Sequence, residues 1–429
     1  MLDLKLIREN PQLVRRNLER RQDPNYIAMF DELLVVDKKV RELTAKVNSL
    51  RARRNELSLA IANAKKTGAD ISAVRKEAEL LPEQIKTAEA ELETVQQRLT
   101  WLHMRLPNML HDSVPFGKDE HDNVEIRKWG KPPKFKFEPK GHLELALTNG
   151  WIDSERANKV SGHGFFYLKG PLVLLDFAIL CYAMDFLVRR KYLPIEPPFM
   201  IHRKPYEGVT DLADFENVMY KIENDDLYLI ATSEHAMGAM YMDETLDIKD
   251  LPIKFVGISP CFRREVGAHG KYTKGLFRMH QFNKVEQFIF CHPDESWKLH
   301  EELQTNAEKL YQGLGLHYRV VNVCTGDIGI IAAKKYDIEV WMADGNFREI
   351  GSNSNCTDYQ ARRLNIKYRL KTGQPPAGFV HTLNNTALAT SRTMMAILEQ
   401  HQQKDGSVKI PTPLQKWMGG LKKLEPLKK

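Results

Sequence analysis

Leu33, Val36, Val40, Leu43, Val47, Leu50, Leu57 and Ile61 recur in alternating steps of three and four, with Arg54 in the one missing slot. A second series keeps the same step: Ile71, Val74, Ala78, Leu81, Ile85, Ala88, Leu92, Val95, Leu99, Leu102 and Leu106. Such spacing lays one apolar stripe along each of two helices, the pattern of a coiled coil. Between the runs lie Gly68, suited to a turn, and Asp70, suited to capping the second helix. A connection this short predicts that the helices fold back on each other, each running roughly 50 Å. Pro82 predicts a kink or a local opening of the second helix. Pro107 to Pro115 ends the periodicity. We therefore expect an N-terminal domain over 1–110, with its helical arm at about 28–106, and a second domain over 111–429.

Past residue 107 the pattern changes. Phe116 to Pro139 is rich in charge, Gly and Pro and reads as the remainder of a linker over about 107–139. Short apolar runs then predict strands at Leu227 to Ile230, Phe255 to Ile258, Phe282 to Phe290, Tyr318 to Val323 and Tyr336 to Trp341. Helices are expected at Pro171 to Arg190, Glu295 to Leu314 and Ala387 to Gln402. Many strands follow one another with no helix between, which predicts an α+β domain on an antiparallel sheet.

Composition narrows the class. Apolar residues make up 42% of 429 and charged residues 28%, enough for a core and against a wholly disordered chain. The longest apolar run, Pro171 to Val188, is broken by Asp176 and Asp185, and the N-terminus lacks the apolar centre of a signal peptide. These features predict a soluble, cytoplasmic protein with no membrane partner. A net charge of +7 is compatible with a polyanionic ligand without requiring one. The five cysteines are scattered and form no C-x-x-C, so no zinc site is expected.

The chemistry concentrates between Cys261 and Glu286. A strand carrying Arg263 and Glu265 enters a loop of glycines and lysines, then returns bearing Arg278, Phe282 and Glu286. Residues two or four apart on a strand share a face, so such a hairpin can offer a cation, an aromatic plate and a carboxylate together. Charge alone would equally suit an exposed hairpin.

The order of the motifs goes further. Phe262-Arg-Arg-Glu265 with Gly275-Leu-Phe-Arg278 resembles motif 2 of the class II aminoacyl-tRNA synthetases, and Leu388-Ala-Thr-Ser-Arg392 resembles motif 3. Tyr192 to Pro198, after a long helix, resembles motif 1, usually part of a dimer interface. Thr232-Ser-Glu234, His280 to Gln287, Glu349-Ile-Gly-Ser352, Asn355 to Arg363 and Leu383-Asn-Asn-Thr-Ala387 are similar to blocks of the seryl-tRNA synthetase family. The resemblance covers nearly the whole chain, in order, including the arm. Gly351 and Thr386 stand where family members often carry serine.

That resemblance implies a homodimeric enzyme that uses ATP and Mg²⁺ to activate L-serine, then charges tRNA(Ser); it leaves tRNA(Sec) open as a further substrate. By the same resemblance Arg263, Arg278, Glu349 and Arg392 are catalytic, and Thr232, Ser233, Glu234, Arg263, Glu286 and Thr386 hold serine. Arg263, Arg264, Glu265, Arg278, Met279, Phe282, Glu349, Ile350, Gly351, Ser352 and Arg392 hold ATP, with Glu349 and Ser352 on the metal. His235, His280 and His381 lack ligand spacing and are expected to be structural. Arg51, Arg53, Arg54, Lys65, Lys66, Arg75 and Lys76 crowd the far end of the arm, a surface suited to tRNA phosphates. A ligase that loads a carrier protein, or a relative with a dead active site, would share much of the sheet but not the arm and the full set of site residues.

Overall fold

The structure, a computed structural model, describes residues 1–67, 70, 72–211, 218–264 and 275–427. For Lys65 and Thr67 only the backbone is described. The chain forms two compact units, Met1–Pro107 and Asn108–Lys429.

In the first unit, helices α1 (Leu4–Glu9) and α2 (Pro11–Glu19) precede the long α3 (Pro24–Thr67) and α4 (Ser72–Arg105). The two long helices pack on each other through the expected stripe. Phe30, Leu33, Leu43, Val47 and Leu57 of α3 are buried, as are Leu81, Ile85, Ala88, Leu99 and Leu102 of α4. Asp70 accepts the Ser72 N–H at 2.9 Å, as a capping residue does, while Gly68 and Ile71 lie outside the described residues. The first helix begins nine residues ahead of Leu33, so its 44 residues run about 66 Å rather than 50. Pro82 lies inside α4, which continues through it; a proline there removes one backbone donor without ending the helix. One buried residue of α3 is a carboxylate. Asp37 is buried but clasped by Arg8 at 2.6 and 3.0 Å and by Arg41 at 3.1 Å. Its hydrogen bond from Arg8 outweighs burial and holds its carboxyl below the usual range.

The second unit is built on one eight-stranded sheet. Its strands are β1 (Val124–Trp129), β2 (Leu193–Ile195), β3 (Ile253–Phe262), β4 (Gln281–Cys291), β5 (Tyr318–Asn322), β6 (Lys334–Trp341), β7 (Phe347–Thr357) and β8 (His381–Ala389). They lie in the order β1-β5-β6-β7-β8-β4-β3-β2. Every neighbouring pair is antiparallel except β2 with β3. Helices α5 (Pro171–Val188), α6 (Ser233–Ala239), α7 (Ser296–Gly313) and α8 (Thr390–Gln400) complete the parts that bear on the site. Helices α5, α7 and α8 share the main core with Val285, Ile289 and Cys291 of β4. Along the same strand, Phe288 and Phe290 join a second cluster instead. A central strand covered on both sides thus reads as a nearly unbroken buried run.

Several expectations shift. The linker segment contains β1, an edge strand, and the expected strand at Leu227 to Ile230 shrinks to Tyr228–Leu229 in a separate two-stranded sheet. β7 and β8 are strands that hydrophobic pattern alone did not reveal, because their buried faces carry Asn353, Asn355, Asn384 and Asn385. The last helix begins at Thr390 rather than Ala387, since β8 keeps pairing with β4 through Ala389 and Lys284. Helix α5 is long and apolar enough to cross a membrane by composition. Here Leu172, Leu175, Ala178, Ile179, Ala183 and Leu187 are buried in the core. Its Asp176 takes a hydrogen bond from Asn283 at 2.8 Å.

Candidate active site

On β4, residues 282, 284 and 286 fall on one face because side chains alternate along a strand. Phe282, Lys284 and Glu286 all open into a cavity of about 300 Å³, at the small end for a ligand pocket. β7 contributes four consecutive residues, Glu349, Ile350, Gly351 and Ser352. A regular strand could turn only alternate residues inward. The pairing with β6 passes from Gly351–Ile338 to Glu349–Glu339, leaving Ile350 as the extra residue of a bulge. β8 supplies Asn384, Thr386 and Ala389, with Thr386 in register opposite Glu286. Thr232 and Glu234 enter from the start of α6, where Thr232 caps the helix by accepting the Glu234 N–H at 3.1 Å. Arg263, just past β3, and Arg392, in the first turn of α8, close the ring.

Three carboxylates and three cations therefore share one small space. Arg392 meets the Glu349 carboxylate at 3.0 Å and its carbonyl at 3.0 Å, with its guanidinium over the Phe277 ring. Burial pushes Glu349 up, but Arg392, Lys335 and Arg263 outweigh it and hold this carboxyl below its ordinary value. Arg263 lies 5.2 Å over the Phe282 ring. At the other end Glu286 Oε2 receives Lys284 Nζ at 2.6 Å and the Thr386 hydroxyl at 3.2 Å. Glu234 is pushed up to about 7, by burial first and by Glu286 second. One end thus suits phosphates, with fixed cations. The other suits a small ligand carrying an ammonium and a hydroxyl.

Eleven of the residues singled out in the sequence line this cavity: Thr232, Glu234, Arg263, Phe282, Glu286, Glu349, Ile350, Gly351, Ser352, Thr386 and Arg392. Met279 lines an adjoining cavity of about 150 Å³, with Phe282 common to both walls. Arg278 follows the short turn Gly275–Phe277, ahead of β4, so the alternation that aligns Phe282 with Glu286 does not extend to it. Ser233 is buried behind the cavity beside Gly257, and Arg264 is exposed. Glu265 lies outside the described residues. Lys284, Asn384 and Ala389 line the cavity without having been singled out; for Lys284 the signal was present, since it lies two residues before Glu286. A Cβ on Gly351 would come within 3.3 Å of the Thr386 Cβ, so the missing side chain at 351 makes room for the extra methyl at 386.

The three histidines have partners of their own. His235 bonds Tyr206 and is driven to about 3 by burial. His381 bonds Ser296 and is driven to about 4, also by burial. His280 bonds Tyr220 and stacks on Phe165.

On the arm, Arg51 pairs with Glu89, Arg53 with Glu77 and Glu56, and Arg75 with Glu79. Arg54, Lys66 and Lys76 enter no ion pair among the described residues, and the Lys65 side chain lies outside them.

Comparison with known proteins agrees with both units. Residues 1–110 match the seryl-tRNA synthetase N-terminal domain, and residues 217–401 match the class II tRNA synthetase core domain for G, H, P, S and T. A serine–tRNA ligase of Methanocella arvoryzae is 57% identical, over 99% of this chain and 100% of its own. The crystal structure of seryl-tRNA synthetase from Pyrococcus horikoshii complexed with ATP superimposes with a TM-score of 0.94, at 46% identity, over 100% of both chains. The cytoplasmic serine–tRNA ligase of Naegleria fowleri in complex with AMP gives 0.87 at 33% identity, over 100% of this chain and 99% of that one.

Proposed function

The chain belongs to the seryl-tRNA synthetase family, and from that premise we propose how its residues activate serine with ATP and charge tRNA(Ser). It is an ATP-using aminoacyl-tRNA ligase. The observation that carries the residue assignments is the single cavity holding Arg263, Glu286, Glu349, Thr386 and Arg392 together.

Serine lies at the end formed by Thr232, Glu234, Glu286 and Thr386, its ammonium toward Glu234 and its hydroxyl toward Glu286 and Thr386. The adenine of ATP lies between Phe282 and Arg392, with Arg278 on the terminal phosphates. The serine carboxylate attacks the α-phosphorus, forming seryl-adenylate as the bond to pyrophosphate breaks. Arg263 bridges the two anions that this step brings together; its planar fork serves both at once. No side chain has to act as nucleophile or general base, so positioning and charge neutralisation supply the rate. Glu349 and Ser352, with oxygens 3.5 Å apart, form the all-oxygen set that Mg²⁺ takes along with phosphate. That ion would neutralise phosphate charge.

The arm holds tRNA through Arg54, Lys66 and Lys76, which no carboxylate among the described residues occupies, with Arg51, Arg53 and Arg75 exchanging their partners for phosphates. A second copy docks on the outward face of α5 and β2, where Leu174, Phe177, Val188 and Leu193 are exposed. The reading places the dimer in the cytoplasm. Serine-dependent ATP–pyrophosphate exchange, followed by charging of total tRNA and of a tRNA(Sec) transcript, tests the assignment. Exchange without charging would favour a carrier other than tRNA, and no exchange would overturn the reading.

A further inference from the structure

Lys284 is a buried lysine in the cavity that the reaction as described leaves unused. Its side chain is 6% exposed and that of Glu286 is 1% exposed, with Nζ and Oε2 2.6 Å apart. The two residues lie two apart on β4, so the strand itself fixes their common direction. Glu286 Oε2 is saturated by Lys284 and by the Thr386 hydroxyl. No partner among the described residues engages Oε1. We infer that Lys284 is a specificity-determining positioning residue: it holds Glu286 as an ionised acceptor, with Oε1 turned to the hydroxyl of serine. The inference rests on the proposed serine pocket and adds to it the reason that pocket can tell serine from alanine.

The surroundings make such a cation necessary. Glu286 shares its surroundings with Glu234 from α6, Cys261 and Arg263 from the end of β3, Glu349 from β7 and Arg392 from α8, and His235 of α6 lies near Lys284 and Arg263. Tyr311 of α7 lies behind it. His235 and Cys261 are buried and neutral, and Arg392 is engaged by Glu349. Burial and a second carboxylate both favour protonation of a buried acid. Burial does push Glu286 up, and Lys284 is the largest influence opposing it. A protonated Glu286 would spend its proton on a neighbour or offer it to the serine oxygen. The hydroxyl would then lose its acceptor, and alanine would lose less than serine. Because the two carboxylates titrate together, the pH response belongs to the Glu234–Glu286 pair.

The test is the pH profile of serine-dependent exchange for wild type, Lys284→Gln and Lys284→Arg between about pH 6 and pH 9. Lys284→Gln should raise the serine KM about tenfold or more near pH 7 and leave the ATP KM within about twofold. The defect should shrink as pH rises and the acid ionises without help. Lys284→Arg should stay near wild type, and the serine-to-alanine preference should fall in Lys284→Gln alone. Two results overturn the inference: an unchanged serine KM and pH profile, or a loss independent of pH that Lys284→Arg shares. If Lys284→Gln does not fold, Lys284→Met in a Glu286→Gln background carries the test, since it buries no lone charge. There the lysine change should add no further loss of serine preference, and an additive loss overturns the inference. Absence of exchange in the wild type would instead sink the proposed function itself.

Discussion

The arm and the catalytic unit use the same charged residues under opposite physical conditions. Across α3 and α4, Arg51–Glu89, Arg53–Glu77, Lys39–Glu91 and Arg98–Glu32 all pair at about 3 Å or less. Each of those side chains keeps roughly half of its surface in water. Water and salt screen such pairs, so they add little to stability and exchange readily for another anion. In the cavity, the Lys284 and Glu286 side chains are 6% and 1% exposed, so their pair has far less screening and one missing partner would leave a lone buried charge. An extended polyanion calls for many weak, replaceable cations. A small zwitterion and a triphosphate call for few, held in place.

The contrast fails if buried charges prove as replaceable as exposed ones, so the largest expected effect is in the cavity. Arg263→Lys keeps the charge but loses the planar fork, and ATP–pyrophosphate exchange should fall by a factor of about a hundred or more. A near-wild-type rate would show that this arginine does not bridge the reacting anions. Thr386→Val keeps the shape and removes one hydroxyl, which should cost about 1–3 kcal/mol in serine activation. Alanine use should barely change, so unchanged kcat/KM ratios would remove Thr386 from the pocket's reading of the hydroxyl.

Serine affinity should also follow the Glu234–Glu286 pair. Burial and Glu286 raise Glu234 to about 7, so the empty pocket holds a proton more readily, whereas serine's ammonium favours the ionised acid. Binding should therefore strengthen as pH rises through about 7, by roughly tenfold from pH 6 to pH 8. A flat calorimetric profile would contradict this. The smallest effect belongs to the arm: Glu77→Gln leaves Arg53 with Glu56 as its ion-pair partner, and the melting curve should not move beyond experimental error.

How much of this was legible depended on which physics wrote the pattern. The arm was readable from spacing alone, because a two-helix seam needs one apolar stripe and Leu33, Leu43, Val47 and Leu81 supply it. Its early start at Pro24 was not readable, since the stripe was traced only from Leu33. In the second unit Phe255 and Phe288 announced their strands, but β7 and β8 did not, because buried Asn353, Asn355, Asn384 and Asn385 break the apolar run. The cavity residues were named from the order of motifs rather than from periodicity. Neither could foresee the bulge at Ile350, where the register with β6 passes from Gly351 directly to Glu349. Lys284 stands between Phe282 and Glu286 on the same face, so the alternation that aligns those two points to it as well.

The central claim is a division of labour: chemistry in the cavity, tRNA selection on the arm. Its most direct test replaces residues 28–106 with a short linker and measures exchange and charging on the same folded preparation. Exchange should stay within about twofold of wild type while charging of total tRNA falls by about a thousandfold, as expected when a set of phosphate contacts is lost. An equal fall in both activities would contradict the division.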